Sequence, residues 1–303
     1  MPSFTVVIPT YNRAALIPAT LDSVLAQDWD DYEVVVVDDG STDNTREIIE
    51  KLYARSERVR YFRQANSERG AARNLGLREA RGQYVVFFDS DDLMHTDHLS
   101  TLASIAEARP ETNFLATKYE ILRDGEAHPS SLHELKEGFY DLDLFLRGNP
   151  LACNVCVRRE NPALSLFVED RRYAVFEDWM FMVQNLASDR LYLSDRVTIT
   201  LIDHDRRSMR GDNREIIRKN RLARDWIVEN VPLTTAQRKI LDGYSHYFCA
   251  IHSYLDDNRR EGLGHLLNAV KGIGVNARVA ALLVKMMVGQ KRLHKASGRL
   301  KRG

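Results

Sequence analysis

The chain has 303 residues, of which 28% are charged and 44% hydrophobic, and its formal net charge is zero. This composition excludes a disordered protein, and no apolar run reaches the roughly 20 residues of a membrane span. The N-terminus begins a strand almost at once, without the basic and apolar segments of a signal peptide, so we expect a cytoplasmic protein.

Alternating strands and helices are predicted over the first hundred residues. Each predicted strand is an almost continuous apolar run, which is typical of strands buried on both faces. The alternation predicts an α/β fold with a parallel sheet and helices on both faces. The predicted strands are residues 5–8, 33–37, 59–63 and 84–88, and the helices between them are residues 13–26, a segment from about 45 to 53, and 67–80.

The pattern is less regular beyond Thr96. We predict helices at about 97–108, 141–147 and 177–187, and strands at 113–120, 154–158 and 196–201. From Arg214 onward the pattern is helical, so we place a domain boundary near Asp212, with domains over residues 1–212 and 213–303. Cys153 and Cys156 have no second pair of ligands nearby, and we predict two strand residues facing different environments rather than a zinc or redox centre.

Three polar clusters follow predicted strands. They are Pro9-Thr10-Tyr11-Asn12, Asp38-Asp39-Gly40-Ser41 and Asp89-Ser90-Asp91-Asp92. Ligands of parallel sheets bind beyond the carboxyl ends of the strands, so we expect these clusters to converge. Three carboxylates within four positions favour a hard divalent cation, Mg²⁺ or Mn²⁺; the alternative is a solvated turn with one acid capping the next helix.

Several segments together resemble the inverting glycosyltransferases of family 2. They are residues 7–12, 36–43, 70–77 and 82–92, and the Glu177-Asp178 pair with Phe181. The resemblance covers about residues 3–210 and implies a GT-A fold, a mixed, mainly parallel sheet flanked by helices. It also implies transfer of one sugar from a nucleotide-diphosphate sugar, with UDP preferred, to a hydroxyl of a glycan or lipid-linked acceptor in surface polysaccharide biosynthesis.

The resemblance also implies roles for the residues at the strand ends. Asp91 is expected on the metal, Asp89 near the donor ribose or the metal, and Asp92 in a supporting or donor-sugar role. Tyr11 is expected against the nucleobase, with a core aromatic as the alternative, and Asp39 is expected to accept from the base N–H. The donor-binding set is completed by Pro9, Thr10, Arg13 and Ser90.

The remaining assignments concern charged residues on later segments. Asp178 matches the family's catalytic base and Glu177 is its neighbour, contacting the acceptor or orienting a loop; alternatively, both acids only complement a helix dipole. Arg73 is expected near the donor phosphates, or else in a structural ion pair with the acids, and Arg69 is a weaker donor candidate or a solvated helix residue.

A further ligand candidate follows the predicted strand at 196–201. His204 is expected to reach the metal or the pyrophosphate, and its alternative is a surface histidine among charges. Arg206 and Arg207 are candidates to close over phosphate.

Two alternatives to a transferase share features with this sequence. A metal-dependent phosphatase also places Asp-x-Asp after an apolar strand, but it would carry Thr or Val where this chain has Leu93, and it leaves Tyr11 and Asp39 unexplained. A non-catalytic nucleotide-sugar-binding protein would lack the metal acid or the base, and both Asp91 and Asp178 are present.

The C-terminal segment is basic. Residues 276–303 contain eight Lys or Arg and no acid. Six apolar residues fall on one side of a predicted helix, namely Val275, Val279, Leu282, Leu283, Met286 and Met287. Such a helix is suited to an anionic membrane surface, here the inner face. The alternative is packing on residues 244–255 or on a second subunit in a homo-oligomer; no nucleic-acid partner is expected.

Overall fold

The computed structural model describes residues 3–204 and 211–288. Within this part of the chain the strands form a ten-stranded sheet with the order β3-β2-β1-β4-β9-β6-β10-β5, extended by β7 on β6 and β8 on β10. The strands are β1 (Phe4–Thr10), β2 (Tyr32–Asp38), β3 (Val59–Arg63), β4 (Tyr84–Phe87), β5 (Leu93–Met94), β6 (Phe114–Arg123), β7 (Glu126–Pro129), β8 (Gly138–Tyr140), β9 (Val155–Arg158) and β10 (Leu191–Ile202).

The first four strands are parallel, which confirms the prediction from their apolar runs. β1 pairs with β2 and with β4, and β2 pairs with β3. Every residue of β1 and β2 is buried, because both faces of this part of the sheet are covered. β9 then runs antiparallel to both β4 and β6, so the sheet is mixed. The strand order reverses between β1 and β4, which is where ligands bind in such sheets.

The helices cover the strands and form the C-terminal segment. They are α1 (Ile17–Leu25), α2 (Thr45–Tyr53), α3 (Glu68–Glu79), α4 (His98–Ala108), α5 (Leu142–Phe145), α6 (Glu177–Asn185), α7 (Asn213–Asn230), α8 (Thr235–Leu255), α9 (Arg259–Ile273) and α10 (Ala277–Val288). Over the described residues, no helix combines the length and the apolar character needed to span a membrane.

A glycine sets the close packing of α3 on the sheet. A Cβ added at Gly76 would lie 2.2 Å from Cγ1 of Val7 in β1, so a larger residue does not fit there. This contact fixes the position of α3, the helix that carries Arg69 and Arg73, against the central strand.

Three sequence predictions are wrong in detail. α1 begins at Ile17 rather than at residue 13, because Pro18 has no N–H to donate to the Ala14 carbonyl and the helical ladder is interrupted there. The preceding residues form turns in which the N–H groups of Leu16 and Ile17 both donate to the Arg13 carbonyl. β10 begins at Leu191, five residues before the predicted strand, and irregular pairing after Leu193 hides its alternation. Cys153 precedes β9 and has φ +60°, so it is not a strand residue.

Two compact units are present within the described residues. One contains residues 3–145 and 149–204, including the whole sheet; the other contains residues 146–148 and 211–288, including α7 to α10. In the second unit, α8 begins with a capping box formed by Thr234 and Gln237.

The core of the second unit lies between its last three helices. Val279, Leu282 and Met286 of α10 pack against Ala250 and Leu266. The predicted packing on residues 244–255 is therefore present, but the predicted apolar side is wrong in part, because Val275, Leu283 and Met287 are exposed. The basic residues after Val288 lie outside the described residues.

Candidate functional site

Loops at the ends of β1 and β2 are tied together. The Asn12 side-chain oxygen, presented by a left-handed backbone with φ +51°, accepts from the N–H groups of Thr42 and Asp43. The side chain of Tyr11 is 44% exposed, so it is not a core residue. The Thr10 hydroxyl is buried without a hydrogen-bond partner among the described residues, and Pro9 is buried inside β1.

The paired acids after β2 organise the neighbouring loops. Asp38 accepts from the Ser41 N–H at 2.7 Å and from the Tyr61 hydroxyl at 2.7 Å. Asp39 accepts from the Gln64 amide at 2.7 Å and from the Ser67 N–H at 2.8 Å. Asp39 therefore holds the segment before α3, a contact that the sequence did not reveal, and its proposed bond to a nucleobase stays a prediction.

Three carboxylates meet after β4. Asp89, Asp91 and Asp92 each present an oxygen within 4.8 Å of the others. Asp92 is buried and accepts from the Ile202 N–H at 3.0 Å, which ties this loop to β10. Ser90, between them, is also buried.

The central acid of this group has two basic neighbours. His204 Nε2 lies 3.0 Å from Asp91 Oδ2, and Arg13 Nη2 lies 3.4 Å from the same oxygen. Of the predicted ligands, Asp89 and Asp91 thus lie in one carboxylate group, and His204 contacts that group through Asp91. Carboxylate oxygens with one imidazole nitrogen are a donor set that fits Mn²⁺ or Mg²⁺, so the residues present fit a divalent metal.

A buried arginine joins the acid cluster to α6. Arg73 is 1% exposed; its Nη2 donates to Asp89 Oδ1 at 2.8 Å and its Nη1 to Glu177 Oε1 at 2.9 Å. Arg69, one turn earlier, places Nε 3.6 Å from the same Glu177 oxygen. Burial alone would lower the pKa of Arg73, but the negative charges of the neighbouring acids Asp89, Glu177 and Asp178 outweigh it, so the pKa of Arg73 is raised.

The surroundings of Arg73 explain how a charge is accommodated there. The Phe167 ring lies 5.4 Å from the guanidinium carbon and stacks on Phe181 of α6 at 4.0 Å. Asn74 holds the Phe167 backbone by donating to its carbonyl and accepting from its N–H, both at 2.9 Å. A Cβ at Gly70 would lie 2.8 Å from the Val168 carbonyl oxygen, so the Gly-Ala-Ala-Arg-Asn sequence packs α3 against this segment.

The candidate base lies beside the buried pair. Asp178 accepts from the Asn149 amide at 2.9 Å and from the Trp179 N–H at 2.7 Å. Asn149 is itself fixed, because its oxygen accepts from the Leu151 N–H at 3.0 Å. Burial, followed by the neighbouring Glu177 carboxylate, raises the pKa of Asp178 to about 6. A carboxyl with this pKa suits proton abstraction near neutral pH.

The predicted acids thus lie largely in two groups that Arg73 connects, the cluster after β4 and the Glu177-Asp178 pair. Arg69 is not merely solvated, and Arg73 makes the structural ion pair that was its alternative. Arg206 and Arg207 lie outside the described residues. Sequence reasoning missed Asn149 and Asn74, although the Asn149-Pro150 dipeptide is a turn signal and Asn74 falls within the Gly70–Leu77 segment.

Comparisons with known proteins agree with this architecture. A family model described as "Glycosyl transferase family 2" matches residues 5–159. An uncharacterized glycosyltransferase of Haemophilus influenzae is 31% identical over 189 residues, which are 59% of this chain and 72% of that protein. A Campylobacter jejuni protein named GalNAc(5)-diNAcBac-PP-undecaprenol beta-1,3-glucosyltransferase is 38% identical over 104 residues, 34% of each chain.

Solved structures match over nearly the whole chain. S. aureus TarS 1-349, crystallised in complex with UDP-GlcNAc, superposes with a TM-score of 0.67 at 25% identity, covering 93% of this chain and 84% of that one. The expected GT-A fold is therefore confirmed. Across five curated relatives, including the C. jejuni protein, the chain spans 14–34% of the relative's length. Its family is nevertheless shown by the matched half of the chain, and the protein belongs to glycosyl transferase family 2.

Proposed function

We propose that this protein is an inverting glycosyltransferase that moves one sugar from a nucleotide-diphosphate sugar, with UDP preferred, to an acceptor hydroxyl. One observation carries the proposal: Arg73 bonds both Asp89 of the acid cluster and Glu177, the residue next to Asp178. The bridge joins the group that would hold the leaving diphosphate to the group that would activate the acceptor.

Each half of the site has its own task in the transfer. A divalent metal on Asp91, Asp89 and His204 would offset the negative charge of the leaving diphosphate. Tyr11 and Asp39 would hold the nucleobase. Asp178 takes the proton of the acceptor hydroxyl while that oxygen bonds to the anomeric carbon, and the bond from this carbon to the diphosphate oxygen breaks.

The acceptor and the setting are proposed more broadly. We propose a glycan or a lipid-linked saccharide, used in surface polysaccharide biosynthesis in the cytoplasm. The name of the C. jejuni protein, which includes an undecaprenol-linked glycan, supports this choice of acceptor, and the UDP-GlcNAc complex of S. aureus TarS supports a UDP-sugar donor.

Two variants test the proposal after a thermal-shift screen of nucleotide sugars with Mn²⁺ has identified a donor. Asp178→Asn is expected to bind donor normally by calorimetry and to lose transfer. Asp91→Asn is expected to lose the Mn²⁺-dependent gain in donor affinity. Full transfer by Asp178→Asn would refute the base assignment, and metal-independent donor binding by the native chain would refute the metal assignment. Donor binding without transfer to any acceptor would favour a non-catalytic binding protein.

A further inference from the structure

The last described helix of the C-terminal unit carries an uncovered apolar surface. α10 buries only Val279, Leu282 and Met286 against α8 and α9. The rest of its apolar circumference faces outward, with Met287 74% and Leu283 40% exposed. We name this outward surface the α10 face; it consists of Ala277, Ala280, Ala281, Leu283, Val284, Met287 and Val288.

The extent of this face is unusual for a helix on a protein surface. A surface helix ordinarily presents polar residues opposite its buried stripe, whereas a helix that is apolar nearly all round is covered on both sides. The only charged residues within α10 are Arg278 and Lys285. The α10 face therefore lacks polar groups that would fix the register of a specific protein partner by hydrogen bonds.

The charge of this segment identifies the chemistry of the partner. Both charged residues of α10 are cations, and residues 289–303 add six Lys or Arg without an acid. A second copy would bring these like charges together across a self-complementary interface, which is unfavourable. An anionic lipid surface accepts apolar side chains without a fixed register and attracts the cations.

We propose that the α10 face binds the surface of an anionic phospholipid bilayer. Leu283 and Met287 enter the acyl boundary, and Arg278 and Lys285 contact lipid phosphates. The proposal uses only residues of the C-terminal unit and stands apart from the transferase assignment, because no residue of the candidate active site takes part.

The test is co-sedimentation of the full chain with vesicles. The native protein is expected to bind vesicles of phosphatidylcholine and phosphatidylglycerol, and to bind pure phosphatidylcholine far more weakly. The double variant Leu283→Glu, Met287→Glu is expected to lose at least about tenfold in affinity, because two apolar contacts are replaced by anions. Arg278→Gln with Lys285→Gln is expected to lose about fivefold per cation and to show weaker salt dependence.

The matched control introduces the same charge on another exposed apolar residue. Leu52 of α2 lies in the other unit and is 54% exposed, so Leu52→Glu is expected to leave vesicle binding unchanged. All variants are compared by thermal melting and by nucleotide-sugar binding, which report on folding and on the active site separately.

Four outcomes would overturn the proposal. The first is that the native protein does not bind anionic vesicles, and the second is that the Leu283→Glu, Met287→Glu change leaves vesicle binding unaffected. The third is that the native protein self-associates in sedimentation velocity and this change abolishes the association. The fourth is that the protein binds soluble polyglutamate equally tightly and this binding survives the change. The third would identify a second copy as the partner, and the fourth an acidic protein.

Discussion

Replacing the candidate base is expected to stabilise the protein while abolishing transfer. Asp178 has a pKa of about 6 in the folded chain against 3.8 for an ordinary aspartate. Ionising it in the folded chain therefore costs about 3 kcal/mol more than in the unfolded chain. Because the folded pKa is the higher one, the neutral carboxyl contributes stability below about pH 4, and this contribution is lost as the pH rises through about 6.

Asp178→Asn removes this cost and adds a smaller one. The new amide keeps the bond from the Trp179 N–H, but it turns a donor toward the Asn149 amide, which costs about 1 kcal/mol. The net gain is about 2 kcal/mol at pH 8 and below about 1 kcal/mol at pH 5, where the folded carboxyl is still largely protonated. For a domain of about 200 residues the gain at pH 8 corresponds to a Tm increase of about 4–8 °C, and the gain at pH 5 to a smaller one.

Thermal melts of both proteins in EDTA at the two pH values measure this difference. The control is Asp124→Asn, which makes the same charge change on an exposed turn residue with φ +52°, a conformation that asparagine tolerates. Its effect on Tm is expected to be small and equal at both pH values. A Tm of Asp178→Asn that is unchanged or lower at pH 8, or an increase that does not depend on pH, would refute the assigned environment of Asp178.

Three further predictions concern residues around the site. Asn149→Ala removes the hydrogen bond that favours the ionised form of Asp178, so the acid limb of the pH profile of kcat should move about one unit to higher pH. Transfer and donor binding are assayed together, and an unmoved acid limb would contradict a positioning role for Asn149. In Arg73→Lys the ammonium group cannot bond Asp89 and Glu177 as the guanidinium fork does, so the free energy of unfolding measured in urea should fall by about 3 kcal/mol. A fall below about 1 kcal/mol would show that stability does not depend on the bridge. Gly76→Ala should lower the free energy of unfolding by about 1–3 kcal/mol in the same assay, and adding Val7→Ala should recover part of that loss. If the effects of the two substitutions simply add, the contact between Gly76 and Val7 does not limit the packing of α3.

Sequence patterns predicted β1 to β4 because the local apolar pattern of these strands agrees with their buried position in the sheet. β1 to β4 are apolar throughout because both faces are covered, and the acids that follow β2 and β4 stand out against them. The predicted start of α1 was too early because the missing N–H of Pro18, a local signal, interrupts the helical ladder before Ile17. The contacts of Asn12 and Arg13 with residues about 30 positions later have no local signal. The predicted strand at 196–201 is shorter than β10, because Ser194 and Asp195 interrupt the apolar pattern of β10 without ending its pairing with β6.

The site shows the same division between local and long-range information. The residue types of Asp91 and Asp178 point to their chemistry, but the bridge through Arg73 spans 104 residues to Glu177 and has no local signature. Asn149 was missed for the same reason. Its task depends on the position of α6, and an asparagine before a proline otherwise indicates only a turn.

The contacts of Asp89, Asp91 and Asp92 distinguish their roles, which the residue type alone leaves open. Asp92 is buried and bound to the Ile202 N–H, so its carboxylate is committed to joining the loop to β10. Asp89 shares a buried guanidinium with Glu177, so its charge is already partly balanced. Among the described residues, the ion pairs of Asp91 are with Arg13 and His204, both of which keep part of their side chains exposed. We therefore expect a divalent metal that enters this site to displace the partners of Asp91 more readily than those of Asp89 or Asp92.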